Sequence, residues 1–304
     1  MTDFQDMPLP TFTEHRVPRD CGSLYVRDFS GSGPAFVVLH GFPDNAHIFD
    51  LLVPHLVLAG RRVVAIDFLG FGASDKPLGP HYSFAQQLAD LEAVVESLSL
   101  DRIIPVGHDA GGPAAVNFAL KHPERTAGVT LMNAFYGHAP GLRVPELIEI
   151  FSNRELAALS RHFLQSPEHF AWLLDFQRTR LAHGVSEKQK DRYYGFLGPL
   201  IDNNFRQQPS AAPAFAQMTA LLHEEVAANT ARLIEFRRSD LPFMFIWGKN
   251  DPYLHHTAAR YMQSQAARAS LHLFDAGHWP QIDAPAEVAR VMLNDEAWDL
   301  NHEI

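Results

Sequence analysis

A series of short, uninterrupted apolar runs, separated by helical stretches, limits what this chain can fold into. Residues 35–39 (Ala-Phe-Val-Val-Leu), 62–66 (Arg-Val-Val-Ala-Ile), 103–106 (Ile-Ile-Pro-Val) and 128–132 (Gly-Val-Thr-Leu-Met) have almost no polar alternation. Runs of that length suit strands buried on both faces, as in a parallel sheet covered by helices. Residues 23–27 (Ser-Leu-Tyr-Val-Arg) alternate instead, as a strand with one wet face does. Pro105 argues against its run being a central strand, because proline removes a ladder donor. Residues 84–98 carry apolar positions at helical spacing, with Ser83 placed to cap the first turn. Strands alternating with helices predict a three-layer α/β sheet.

The pattern changes near His138. From there to Arg238 the chain reads as helices, for instance at 186–189 and 229–236, with a connection at 209–213. Strand-like runs resume at 242–246 (Pro-Phe-Met-Phe-Ile) and 270–274 (Ser-Leu-His-Leu-Phe). A length of 304 residues allows one large domain, or a core with an insertion. The expected division is a core in two parts, 1–137 and 239–304, with a helical cap at 138–238 lying over the strand ends.

Composition narrows the class. A hydrophobic fraction of 46% with 20% charged residues is that of an ordinary globular chain. A net charge of −10 repels a phosphate backbone, so nucleic acid is not expected as a partner. The single Cys21 allows no internal disulfide and fits a reducing compartment. No run approaches the ~18 apolar residues of a membrane span, and the first residues lack the basic and apolar regions of a signal peptide. A soluble, cytoplasmic protein is the expectation.

Ligand sites in open parallel sheets lie beyond the carboxyl ends of the strands. After the 103–106 run stands Gly107-His108-Asp109-Ala110-Gly111-Gly112, where glycines frame one reactive side chain on a strand-to-helix turn. The same turn is known with serine at its centre, as Gly-x-Ser-x-Gly. His40-Gly41-Phe42-Pro43 follows the 35–39 run, and its backbone can aim an N–H at the same point as the N–H of Ala110. Asp251 follows the 242–246 run and Gly277-His278 follows 270–274. Nucleophile, acid and histidine thus occur in the chain order of a hydrolase triad. Asn250 and Asp275 are the nearest substitutes for the acid, and His40 and His108 are expected to brace the turns.

On these motifs, and on Asp67-Phe68-Leu69-Gly70-Phe71-Gly72-Ala73-Ser74, the chain resembles the α/β-hydrolase superfamily over nearly its whole length. More narrowly, it resembles the branch of epoxide hydrolases and haloalkane or haloacetate dehalogenases, in which an aspartate is the nucleophile. The resemblance implies a mostly parallel central sheet flanked by helices with an inserted helical cap, and a homodimer is compatible with it. It implies catalytic Asp109, Asp251 and His278, an oxyanion hole from the N–H groups of Phe42 and Ala110, and neither metal nor organic cofactor. A carboxylate is already ionised at neutral pH, and its attack on an sp³ carbon gives an alkyl ester. The expected substrate is therefore a small apolar electrophile, an epoxide or organohalide, with water as second substrate. His278 would activate that water to hydrolyse the ester, oriented by Asp251.

The chain departs from both branches in the residues that hold the leaving group. Epoxide hydrolases of this family usually carry two cap tyrosines, whereas the candidates here, Tyr193 and Tyr194, are adjacent and diverge by about 100° on a helix. His162 is a further candidate of that kind. Haloalkane dehalogenases commonly place Trp after the nucleophile or Asn after His-Gly, where this chain has Ala110 and Phe42, and haloacetate dehalogenases place arginines where Ala110 and Pro113 stand. Trp172 is a candidate halide donor. The reading is an epoxide hydrolase forming a vicinal diol, with a dehalogenase as the alternative. A non-catalytic small-molecule binding protein on the same fold is the alternative of another class.

Overall fold

The computed structural model describes residues 7–79 and 82–294. Eight strands form one sheet: β1 (Thr13–Arg19), β2 (Gly22–Phe29), β3 (Ser32–Leu39), β4 (Arg61–Asp67), β5 (Ile103–Asp109), β6 (Val129–Ala134), β7 (Pro242–Gly248) and β8 (Arg268–Phe274). Their order is β1-β2-β4-β3-β5-β6-β7-β8. The β1–β2 and β2–β4 pairs are antiparallel, and every later pair is parallel. The apolar runs read from the sequence are the sheet's centre: Val37, Val38, Ile66, Ile104, Val106, Leu131 and Phe245 are all fully buried. Residues of this kind covered on both faces supply most of the hydrophobic driving force, at roughly 1.5–3 kcal/mol for each large side chain.

Two details differ from expectation. Pro105 does sit in a central strand, paired with Val37 of β3, but pairing of β5 with β6 begins only at Val106. The proline therefore stands where β6 offers it no register partner. β1 has no apolar run in the sequence; only Val17 of its seven residues is buried, as suits an edge strand.

Helix Phe84–Ser97 forms where its periodicity placed it, and the Ser83 hydroxyl accepts the N–H of Gln86 at 3.1 Å. Between β6 and β7 the chain adds no strand and runs through helices from Glu146 to Arg238. Ser186 and Gln189 close a capping box on one of them. Helix Pro167–Leu181 turns Phe170, Leu173, Leu174, Gln177, Arg178 and Leu181 inward at i, i+3, i+4 spacing. This insertion and the carboxyl ends of the strands enclose a cavity of about 270 Å³. Among the described residues, no helix is long and apolar enough to cross a membrane.

Candidate active site

Asp109 is the last residue of β5 and has φ of 46°, in the left-handed region that costs a non-glycine residue roughly 1–2 kcal/mol. The turn holds that strain because its neighbours are small. A Cβ on Gly107 would lie 2.7 Å from the Gly111 carbonyl oxygen, and a Cβ on Gly41 would lie 2.5 Å from Asp109 Oδ2. The backbone of Gly41 can therefore pass directly beside the carboxylate. The backbone N–H groups of Ala110 and Phe42 act on the Asp109 carboxylate and lower its pKa. Helix Gly111–Lys121 begins after Ala110, so Asp109 is not the residue capping it.

His278 lines the same cavity as Asp109. Its Nδ1 donates to Asp251 Oδ2 at 2.7 Å. That oxygen also accepts Asn133 Nδ2 at 2.8 Å, while Oδ1 accepts the N–H groups of Tyr253 at 2.9 Å and Leu254 at 3.0 Å. Burial pushes the Asp251 carboxyl up, but the His278 cation and these donors outweigh it and hold the group below its usual range. Asn250 and Asp275 pair with each other at 2.9 Å instead of reaching the histidine.

The site is a balance of buried charge. Burial alone lowers His278, yet the carboxylates of Asp251, Asp109 and Asp44 raise it to about 9. Burial raises Asp109, opposed by the His278 cation and by the two backbone donors. The Asp109 carboxylate thus favours the His278 cation, and that cation partly offsets the burial that still leaves the Asp109 pKa raised. Asp251→Asn should therefore lower the His278 pKa from about 9 by more than one unit, because the strongest support of the cation is lost while burial still opposes it. An NMR titration of the imidazole reads this directly; an unchanged value would contradict the charge balance.

His40 and His108 brace the turns, as expected. His40 Nε2 accepts the N–H of Phe68 at 3.1 Å, and its Nδ1 donates to the Gly41 carbonyl at 2.6 Å. His108 Nε2 donates to the His278 carbonyl at 2.9 Å. Burial and the neighbouring His278 cation hold His108 far below its ordinary pKa, so its 3.6 Å approach to Asp44 is not an ion pair.

The candidate leaving-group residues lie elsewhere. His162 is exposed on helix Ala157–Gln165, where only Phe163 is buried, and its Nε2 meets His169 Nδ1 at 2.9 Å. Trp172 is 61% exposed and stacks on Phe176, off the buried face of its helix. Tyr193 is buried, but its hydroxyl donates to Asp283 Oδ2 at 2.9 Å. Tyr194 is 45% exposed, with its hydroxyl 3.2 Å from Thr179 Oγ1. None of these side chains lines the cavity. The two tyrosines do diverge, within the π-helical turn Tyr193–Leu197.

Two further polar residues of the site escaped the sequence reading. Asn133 ends the β6 run at φ of 35°, a conformation asparagine tolerates, and its Oδ1 accepts the Gly248 N–H at 2.8 Å while Nδ2 holds Asp251. Asp44 is buried directly after Phe42-Pro43, where its Oδ2 accepts Trp279 Nε1 at 3.0 Å. Burial raises it to about 7. The signal for both was a polar residue closing an apolar run or a motif.

Comparison with known proteins agrees with the fold. The family description "alpha/beta hydrolase fold" matches residues 34–285. The bifunctional epoxide hydrolase 2 of Sus scrofa is 26% identical over 86% of this chain, which spans about half (51%) of that protein's length. A haloalkane dehalogenase of Mycobacterium marinum is 26% identical over 89% of this chain and 87% of its own. A thermophilic esterase from Thermogutta terrifontis superimposes with a TM-score of 0.73 over 93% of this chain and 97% of its own, at 19% identity, a likeness of fold. With most of its length matched and its site built on the strand ends of a mostly parallel sheet, the chain belongs to the α/β-hydrolase fold family.

Proposed function

We propose that the protein is an epoxide hydrolase working through an alkyl ester on Asp109, with the helical insertion as its cap. The observation that carries this reading is an aspartate, not a serine, on the strained turn, lining one cavity with a histidine whose Nδ1 is bonded to Asp251. Attack on an acyl carbon would leave an anhydride. Attack on a saturated carbon leaves an ester that hydroxide can cleave.

The charge balance suits two steps. In the first, one oxygen of Asp109 bonds to the epoxide carbon while the other rests on the N–H groups of Phe42 and Ala110. The ester carries no charge, so His278 loses one of the carboxylates that raise it, its pKa falls, and the imidazolium releases its proton to solvent and stands as the neutral base. It then takes a proton from water, and the hydroxide attacks the ester carbonyl. The resulting oxyanion forms on the oxygen that the two N–H groups already hold, a role worth roughly 3–4 kcal/mol per donor. Asp251 keeps the imidazole in place and stabilises its cation.

The cavity walls are largely apolar, with Phe42, Leu147, Leu174 and Trp279 among them, which favours an apolar substrate. The residues after the nucleophile and after Gly41 bring no side-chain N–H to cradle a halide, which favours the epoxide over the organohalide. A single turnover in ¹⁸O-water with enzyme in excess tests the reading against both an esterase-type reaction and a binding protein. Label should enter the Asp109 carboxylate, and a panel of epoxides and haloalkanes should yield diol rather than halide. Product without label in the protein would sink the covalent route.

A further inference from the structure

Displacement at a saturated carbon sends the leaving atom away from the nucleophile. With Asp109 at the core side of the cavity, the departing oxygen must face the insertion, where none of the expected donors reaches it. Gln177 does line that wall, and it is only 5% exposed. Its amide oxygen accepts the Leu147 N–H at 3.0 Å, which fixes the orientation of the amide. Its nitrogen is then left buried with no hydrogen-bond partner. Burying such a donor unmet is unfavourable unless a ligand meets it. The neighbouring Tyr253 hydroxyl feels the amide but is committed to Glu146, and no hydrogen bond closes between the two.

Apart from Arg178 Nε, the other side-chain nitrogens on the wall are occupied or wet. The Arg178 guanidinium is held by Asp175 at 3.1 Å and Asp202 at 2.7 Å. Its Nε is also buried without a partner, but it packs against Gly198, where a Cβ would lie 3.1 Å away. His138, Arg143 and His223 are exposed to solvent. Trp279 Nε1 is bonded to Asp44.

We propose that the Gln177 amide N–H holds the oxygen that leaves carbon when Asp109 attacks, the role two tyrosines fill in the epoxide hydrolases that the sequence resembles. The step rests on the epoxide reading above. Asp109 oxygen forms the new C–O bond, the ring C–O bond breaks, and its electron pair stays on the departing oxygen. Gln177 stabilises that charge without giving up a proton. Water supplies the proton, and the proton that His278 takes in the second step returns to solvent.

The rate of adduct formation isolates this step. In a His278→Gln background, alkylation by styrene oxide and by 2-bromoethylbenzene is followed by intact-protein mass. Adding Gln177→Met should slow the epoxide about 10²-fold, the effect of removing one preorganised oxyanion donor. Bromide is a far weaker base and needs little help, so its reaction should change much less. Gln177→Glu retains an oxygen for the Leu147 N–H and removes the donor, so it should reproduce the epoxide loss in a fold that keeps this contact. Equal losses for both electrophiles would make Gln177 a packing residue, and an unchanged epoxide rate in both variants would also overturn the proposal. No adduct from either reagent in the His278→Gln parent would instead strike the aspartate-ester reading itself.

Discussion

Asp109→Asn should reduce turnover by about 10⁴-fold or more, the scale seen when a nucleophile is removed, and should leave the protein folded. The amide has the shape of the carboxylate but no charge to attack with. The backbone tolerates the change, because asparagine visits the left-handed region at which Asp109 sits more readily than most residues. Burial already penalises the Asp109 charge, so a neutral group relieves that cost while giving up the attraction to His278. Thermal unfolding followed by circular dichroism should place the variant within a few degrees of the parent. The same substitution imitates the neutral ester, and the His278 pKa should fall below about 9. Slow deamidation would restore a trace of activity with a one-dalton mass change, a signature to check before interpreting residual rates. Full activity with no mass change would reject the mechanism.

The core of the fold was legible in the sequence because strands covered on both faces must be apolar throughout, and the runs at 35–39, 62–66 and 242–246 are just that. β1 was not legible because an edge strand has little to bury; Val17 alone carries the signal. The sharp turn at the strand end was legible for a different reason. A turn that holds a side chain at positive φ needs small residues at fixed offsets, and Gly107, Gly111 and Gly41 record that need in the sequence. The cap was harder. Helical spacing tells which residues share a face, but not which faces meet at a cavity. Trp172 and His162 drew notice by residue type, yet both stand on outward faces. Gln177 left the better clue: a polar residue within the apolar repeat of Phe170, Leu173, Leu174 and Leu181.

His278→Gln should separate the two chemical steps, converting the enzyme into one that reacts once and stops. Forming the ester needs the Asp109 carboxylate as nucleophile but no base for water. Cleaving it needs a base for water, and loss of a positioned general base slows such a step by typically 10²–10⁴-fold. Incubation with a reactive epoxide should therefore add one substrate mass to nearly every protein molecule, and peptide mapping should locate it on Asp109. The sign of the pH dependence follows from the charges. The His278 cation lowers the Asp109 pKa, which burial raises. Without that cation the carboxyl titrates higher still, so at a given pH less of it is ionised than in the parent. Adduct formation in the variant should rise with pH across a range displaced upward from that of the parent's first step, and level off only above the new Asp109 pKa. A rate that falls with rising pH would mean that the attacking group is not this carboxylate. A protein that remains unmodified at high pH across a panel of epoxides and haloalkanes would remove the covalent intermediate on which the rest of the mechanism depends.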